Sequence, residues 1–271
     1  MFKTLKAIFS LVIVLFVSIP ANSQMDERFY YPSSEWKEID SVNVKTFKEK
    51  ADDDFVTAYL LSNVEKPKAT IIYFHGAGGN VSKYVQLVRP LLKDGFQIFM
   101  VDFRGYGKST GKPTHLNIEA DGQKMLDFAL SQKAIKNTRI LICGVSMGTQ
   151  IATHLASNNE NRISGLILDG TIASFTDIAV SSSPPEQEEM IRKFLTSPYS
   201  AKEDIRKLTK IPVLFVHSKE DTGVPFSHYE MVAANCTTKH DALVYTGEHL
   251  EGPLVDTENY LMMINKLLDQ K

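Results

Sequence analysis

One pentapeptide restricts the folds open to this chain more than any other feature. In Gly144-Val145-Ser146-Met147-Gly148 a serine stands between two glycines, directly after the apolar run Ile140-Leu141-Ile142-Cys143 and directly before residues with helical spacing. A short, continuous apolar run reads as a strand buried on both faces. A strand that turns at once into a helix brings the two backbones together, so side chains two residues either way from the turn would collide. Gly144 and Gly148 remove them. The serine hydroxyl then projects at the carboxyl edge of a sheet, where the N-terminus of the next helix favours developing negative charge.

The rest of the chain supplies the sheet. Residues 36–47, with the alternation Val42, Val44, Thr46, and residues 55–61 read as an antiparallel opening hairpin around the acidic turn at Asp52–Asp54. Strands are then expected at 69–75, 96–102, 139–144, 163–169, 211–217 and 240–245. Helices are expected at 81–93, 116–131, 147–157, 226–235 and 254–268. This alternation implies an α/β architecture with right-handed crossovers, a mostly parallel eight-stranded sheet and helices on both faces. Residues 171–210 break the rhythm. They hold Ser181-Ser182-Ser183-Pro184-Pro185 and a helix-like stretch at 186–195, with no strand between. We read them as a small lid insertion; a plain connector is the alternative.

The N-terminus reads differently. Lys3 and Lys6 precede an apolar run over residues 7–19, then Pro20 and Ala21-Asn22-Ser23. This is the layout of a cleavable secretory signal spanning residues 1–23, with Gln24 as the first mature residue and export to the periplasm or medium as the consequence. The alternative is a retained membrane anchor, for which the run is short against the ~20 residues of a span. Residues 24–34 are polar and expected to be flexible, which leaves 35–271 as the folded domain.

Composition excludes little but helps. Thirty basic residues against 32 acidic ones give no electrostatic case for a nucleic-acid partner. Cys143 and Cys236 are too few for a disulfide framework and are expected to be free thiols. No ligand cluster of His or Cys implies a metal.

Four motifs together resemble the α/β-hydrolase superfamily, particularly the small prolyl-oligopeptidase-like and monoacylglycerol-lipase-like serine hydrolases. They are His75-Gly76-Ala77-Gly78-Gly79-Asn80, Asp102-Phe103-Arg104-Gly105-Tyr106-Gly107-Lys108-Ser109, the Gly144–Gly148 turn, and His217-Ser218-Lys219-Glu220-Asp221. The resemblance covers the chain from about Trp36 onward. It implies Ser146 as nucleophile and an oxyanion hole built from the backbone N–H groups of Ala77 and Met147. His75 is the tempting wrong base; the resemblance makes it a brace for the glycine-rich loop. The second motif reads as a structural turn in which Asp102 and Arg104 tie loops together.

Acid and base should follow the nucleophile in the order acid, then histidine. Asp221 lies after the 211–217 strand, where the resemblance places the acid, although Ser218 stands where glycine is usual. Asp169, at the end of an earlier strand, is the architectural alternative, and Glu220 the adjacent decoy. His249, in the loop after the last strand, is the expected base. His115, His154, His217, His228 and His240 are read as packing or surface residues. The implied activity is hydrolysis of a carboxylic ester, or of a short peptide or amide, through an acyl-enzyme. No cofactor, metal or obligatory protein partner is expected. A non-catalytic binding protein on the same fold is the rival from another class.

Overall fold

The computed structural model describes residues 26–270, so the expected signal at 1–23 lies outside the described residues. The strands, in chain order, are β1 (Tyr31–Pro32), β2 (Asn43–Ala51), β3 (Asp54–Ser62), β4 (Thr70–Phe74), β5 (Gly78–Gly79), β6 (Gln97–Asp102), β7 (Ile140–Val145), β8 (Gly165–Asp169), β9 (Val213–Ser218) and β10 (His240–Tyr245). The helices are α1 (Val81–Lys93), α2 (His115–Ser131), α3 (Gly148–Asn158), α4 (Phe175–Ser181), α5 (Glu188–Phe194), α6 (Ala201–Asp204), α7 (Phe226–Ala233), α8 (Gly252–Val255) and α9 (Thr257–Asp269).

Eight strands form one sheet in the order β10-β9-β8-β7-β4-β6-β3-β2. From β10 to β6 every pair is parallel; β3 runs antiparallel to β6, and β2 antiparallel to β3. The continuous apolar runs have the physical consequence expected of them. On β4, Ile72 and Phe74 face a core shared with Ile118, Met125 and Leu126 of α2 and Ile151 and Leu155 of α3. Ile71 and Tyr73, one residue out of step, face a second core with Val85, Val88 and Leu91 of α1 and Tyr260, Ile264 and Leu267 of α9. A period of two along the strand thus feeds two helical layers.

The order of the sheet fixes where a site can form. β4 leads to β6 on one side, and the chain then returns to place β7 on the other side of β4. The loops after β4 and β7 therefore diverge from adjacent strands, which opens a crevice at their carboxyl ends.

Several expected boundaries move. The first long strand begins at Asn43 rather than 36, because Trp36 packs its ring 5.0 Å from that of Tyr59 instead of joining the sheet. The closing helix is broken at Asp256 into α8 and α9. The segment from Asp26 to Ser34, expected to be flexible, is docked. The Asp26 carboxylate accepts from the His115 N–H at 2.9 Å, Tyr30 is buried with its hydroxyl 2.6 Å from His115 Nδ1, and β1 pairs in parallel with β5. Both cysteines are buried and free.

The insertion after β8 also divides differently from the 171–210 expectation. Tyr199, Ala201, Ile205 and Leu208 are buried and join the core of the α2/α3 layer. Only α4 and α5 form a cap. Asp177 ties that cap down: its carboxylate accepts from Arg192 of α5 at 3.1 Å and from Lys202 of α6 at 2.6 Å. Among the described residues no helix is long and apolar enough to cross a membrane.

Candidate active site

Ser146 stands between β7 and α3 with φ +53°, in the left-handed region that a side chain seldom adopts. The turn is fastened by its backbone: the Ser146 N–H donates to Asp169 O at 2.8 Å, and the Thr149 N–H donates to Ser146 O at 2.9 Å. A Cβ on Gly144 would overlap the Gly148 carbonyl and come within 2.6 Å of Ala152 Cβ; one on Gly148 would overlap the Phe74 carbonyl. The two glycines are thus required by close approach of β7, α3 and β4.

The glycine-rich loop after β4 lies against the serine. A Cβ built on Gly76 would be 3.2 Å from Ser146 Cβ. Among the described residues, the N–H groups of Ala77 and Met147 donate to no protein acceptor, and both residues line the same cavity as Ser146. His75 is fully buried, and burial pushes its imidazole down to about 4, so it is neutral. Its Nδ1–H donates to the Gly76 carbonyl at 2.7 Å. That carbonyl belongs to the same peptide unit as the Ala77 N–H, so His75 fixes the plane of one prospective oxyanion donor.

Asp221 and His249 meet at the end of the sheet. His249 Nδ1 lies 2.6 Å from Asp221 Oδ2, with the Asp221 side chain fully buried and a quarter of the His249 side chain exposed. Asp221 Oδ1 accepts from the Gly223 and Val224 N–H groups at 2.9 and 2.7 Å. Burial alone would raise the Asp221 carboxyl, but the hydrogen bonds from His249 and Val224 outweigh it and hold the group below the usual range. The carboxylate is therefore ionised and able to accept from a protonated Nδ1, leaving Nε2 as the free basic nitrogen. Ser146 is partly exposed, and its Oγ is not in a formed hydrogen bond with His249. Contacts of this kind commonly tighten when substrate binds.

The alternative acid makes no hydrogen bond to His249. Asp169 is buried at the end of β8, and its Oδ1 has no partner. Burial is the main cause that pushes its carboxyl up to about 7; the His249 charge opposes this and the Asp221 charge adds to it. With an unfolded value of about 3.9, folding takes up a proton between about pH 4 and 7. The cost of this group to stability is thus absent at pH 4 and complete above pH 7. Asp169→Asn, neutral throughout, should gain stability relative to the wild type across that window, by up to about 4 kcal/mol on the linkage relation. Urea unfolding of both proteins at pH 5 and pH 8 checks this; an equal difference at the two pH values would refute it.

The remaining histidines have structural partners. His217 accepts from the Thr171 N–H at 3.2 Å and donates to Val224 O at 2.9 Å, which holds the start of the insertion beside the Asp221 loop. His228 accepts from the Ala173 N–H and lies 2.9 Å from Ser181 Oγ. His115 stacks on Phe175, His154 pairs with Asp204, and His240 is exposed. In the second motif, Arg104 makes two hydrogen bonds to the buried Asp121, at 2.9 and 2.7 Å, and Asp102 caps the start of α1 through the Val81 N–H. Among the described residues no group of His, Cys, Asp and Glu is placed to hold a metal.

A cavity of about 650 Å³ opens beside Ser146. Phe175, Ile178, Met190, Ile191, Phe194 and Leu195 of the insertion form most of its apolar wall. Arg28, Phe29 and Tyr31 form another part of it. These three were missed in the sequence, where the region reads only as a polar leader.

A family model for the α/β-hydrolase fold matches residues 69–198, from β4 through the Ser146 turn into the insertion. The chain has the α/β-hydrolase fold. That match stops short of Asp221 and His249, so their placement in this α/β hydrolase rests on the geometry above. Protein bem46 of Schizosaccharomyces pombe is 33% identical over 171 residues; the match covers 62% of this chain and spans only 57% of the yeast protein's length. Among solved structures, the esterase Pf2001 of Pyrococcus furiosus superposes with a TM-score of 0.71 at 18% identity, covering 88% of this chain and 98% of the other. Est1E of Butyrivibrio proteoclasticus, solved with ferulic acid bound, gives 0.68 at 21% identity over 83% of this chain and all of its own. At these identities the solved structures share the fold.

Proposed function

We propose that this α/β hydrolase cleaves a carboxylic ester of modest size through an acyl-enzyme. Ser146 Oγ adds to the ester carbonyl while His249 Nε2 takes its proton. The carbonyl oxygen, now negative, is received by the Ala77 and Met147 N–H groups. His249 returns the proton to the departing alcohol as the C–O bond breaks. Water then adds to the acyl-enzyme and gives a proton to the same nitrogen, which passes it to Ser146 Oγ as the acyl C–O bond breaks and the free acid leaves. Asp221 holds His249 in the tautomer that this requires.

The observation that carries the reading is the Asp221–His249 bond at 2.6 Å, with the remaining Asp221 oxygen held by two backbone N–H groups. An ordinary surface ion pair has no need of such a cradle. The strained serine at the same edge of the sheet, with two N–H groups beside it that donate to no protein acceptor, supplies the other half. Pf2001, an esterase by name, shares the architecture, as does Est1E with ferulic acid bound. Incubation with a fluorophosphonate, followed by mass analysis, tests the reading: one adduct, on Ser146, is expected. Absence of any adduct together with no turnover of p-nitrophenyl esters would favour the non-catalytic alternative.

The apolar cavity wall points to the acyl side of the substrate, and the cap to its selectivity. The two phenylalanines of the cap differ. Phe175 is 1% exposed with its ring centroid 3.7 Å from that of His115, whereas Phe194 is 64% exposed at the cavity. Phe175→Ala should therefore cost about 3–5 kcal/mol of stability as a core truncation. Phe194→Ala should leave thermal stability unchanged and shift the preferred ester chain length. The change should be graded, since a methylene in such a pocket is worth ~1–3 kcal/mol. An unaltered chain-length profile for Phe194→Ala would remove the cap from substrate selection.

A further inference from the structure

The turn after β6 does more than tie loops together. Tyr106, in Arg104-Gly105-Tyr106-Gly107, is fully buried, and its hydroxyl donates to the Ala77 carbonyl at 2.6 Å. The same carbonyl accepts from the Tyr31 N–H at 2.9 Å, and that N–H also approaches the Tyr106 hydroxyl at 3.2 Å. Two donors from distant parts of the chain thus converge on one carbonyl of the glycine-rich loop. The docked N-terminal segment continues the arrangement: the Ser33 N–H donates to Gly79 O at 3.0 Å, and the Gly107 N–H donates to Ser33 O at 3.1 Å. Asn80 Nδ2 donates to the carbonyls of Ser33 and Glu35, both at 2.8 Å.

The geometry matters because of where Ala77 lies. Its N–H belongs to the peptide unit whose carbonyl, on Gly76, is held by His75. Its own carbonyl belongs to the next unit, held by Tyr106 and Tyr31. Fixing both units fixes the two dihedral angles between them, and with them the direction of the Ala77 N–H. The loop is otherwise rich in glycine and has little conformational preference of its own. An oxyanion donor works by being aimed before charge develops, so its aim must come from neighbours.

We propose that Tyr106 is a positioning residue for the oxyanion hole: with the Tyr31 N–H, its hydroxyl clamps the Ala77 carbonyl and aims the Ala77 N–H at the developing oxyanion. The proposal rests on the serine-hydrolase reading for its catalytic meaning, while the clamp itself is a property of the loop. The N-terminal segment is then part of the working site, joined to it through β1.

Tyr106→Phe removes the hydroxyl and keeps the ring packed against His75, whose ring centroid lies 4.9 Å away. Two measurements on the purified variant test the clamp. Residue-resolved amide exchange should show faster exchange at Tyr31 and Ser33, whose N–H groups bond the loop carbonyls, with the sheet core unchanged. On p-nitrophenyl esters, kcat should fall about tenfold with KM within twofold. That is less than the roughly hundredfold cost of losing an oxyanion donor outright. Affinity for an alkylboronic acid, whose tetrahedral adduct with Ser146 places an oxygen in the same hole, should weaken in parallel with kcat. Unchanged exchange at Tyr31 and Ser33 would overturn the clamp. Faster exchange with kcat and boronate affinity both unaltered would overturn its role in aiming the donor. A wild-type protein that neither turned over esters nor took the fluorophosphonate would count against the serine-hydrolase reading, while the exchange would still read the clamp directly.

Discussion

Ser146→Ala should abolish fluorophosphonate labelling and lower ester turnover by about a millionfold, the scale of losing the nucleophile where a triad acts as a unit. Its fold should survive. Alanine keeps the Cβ, and the turn is held by backbone bonds from Ser146 N to Asp169 O and from Thr149 N to Ser146 O, which the substitution leaves in place. The strain should survive too, because φ +53° penalises alanine as it does serine. Glycine should differ: Ser146→Gly should be equally inactive, yet relieved of a left-handed side-chain penalty of about 1 kcal/mol. An inactive variant more stable than the wild type would mark the strain as retained for the position of the hydroxyl. Comparison of probe labelling, turnover and urea unfolding for the three proteins checks the whole argument. Labelling of Ser146→Ala at the wild-type rate would refute the assignment.

Sequence made different parts of this molecule legible to different degrees. Residues 81–93 repeat apolar side chains at helical spacing and form α1 over the same residues, because Val81, Val85, Val88, Leu91 and Leu92 all enter one core. The Ser146 turn was legible because two close approaches demand two glycines at fixed offsets. The position of β1 was not. Two residues carry no periodicity, and the partner strand is itself a pair of glycines with no side chains to pattern. Tyr106 was hidden for a related reason. Its neighbours announce a turn, and nothing local shows that its hydroxyl reaches a carbonyl 29 residues away. In the insertion, apolar residues at helical spacing could not separate Phe175, which is core, from Phe194, which is exposed. Both satisfy the same pattern, and the difference lies in whether α2 is within reach.

The choice between the two carboxylates at this edge of the sheet is decided by an expected ranking. Asp221→Asn should lower turnover by about 10⁴, the scale of an orienting acid replaced by its amide, whereas Asp169→Asn should stay within a few fold of the wild type. The reason lies in how Asp221 is held. Its Oδ1 accepts from two backbone N–H groups, at Gly223 and Val224. An asparagine there must give its carbonyl oxygen to those donors, since its NH₂ would face them with hydrogens of its own. The NH₂ is then turned toward His249 and donates to Nδ1. That forces the imidazole proton onto Nε2, the nitrogen that has to accept from Ser146, so the base is present and disabled. No rearrangement inside the pocket escapes this, because the Asp221 side chain is fully buried. Asp169 offers no relief: it has an unpartnered oxygen, makes no hydrogen bond to His249 and is mostly uncharged below about pH 7. Steady-state kinetics of the two asparagine variants at one pH distinguish the cases, and the reverse ranking would move the acid to the end of β8.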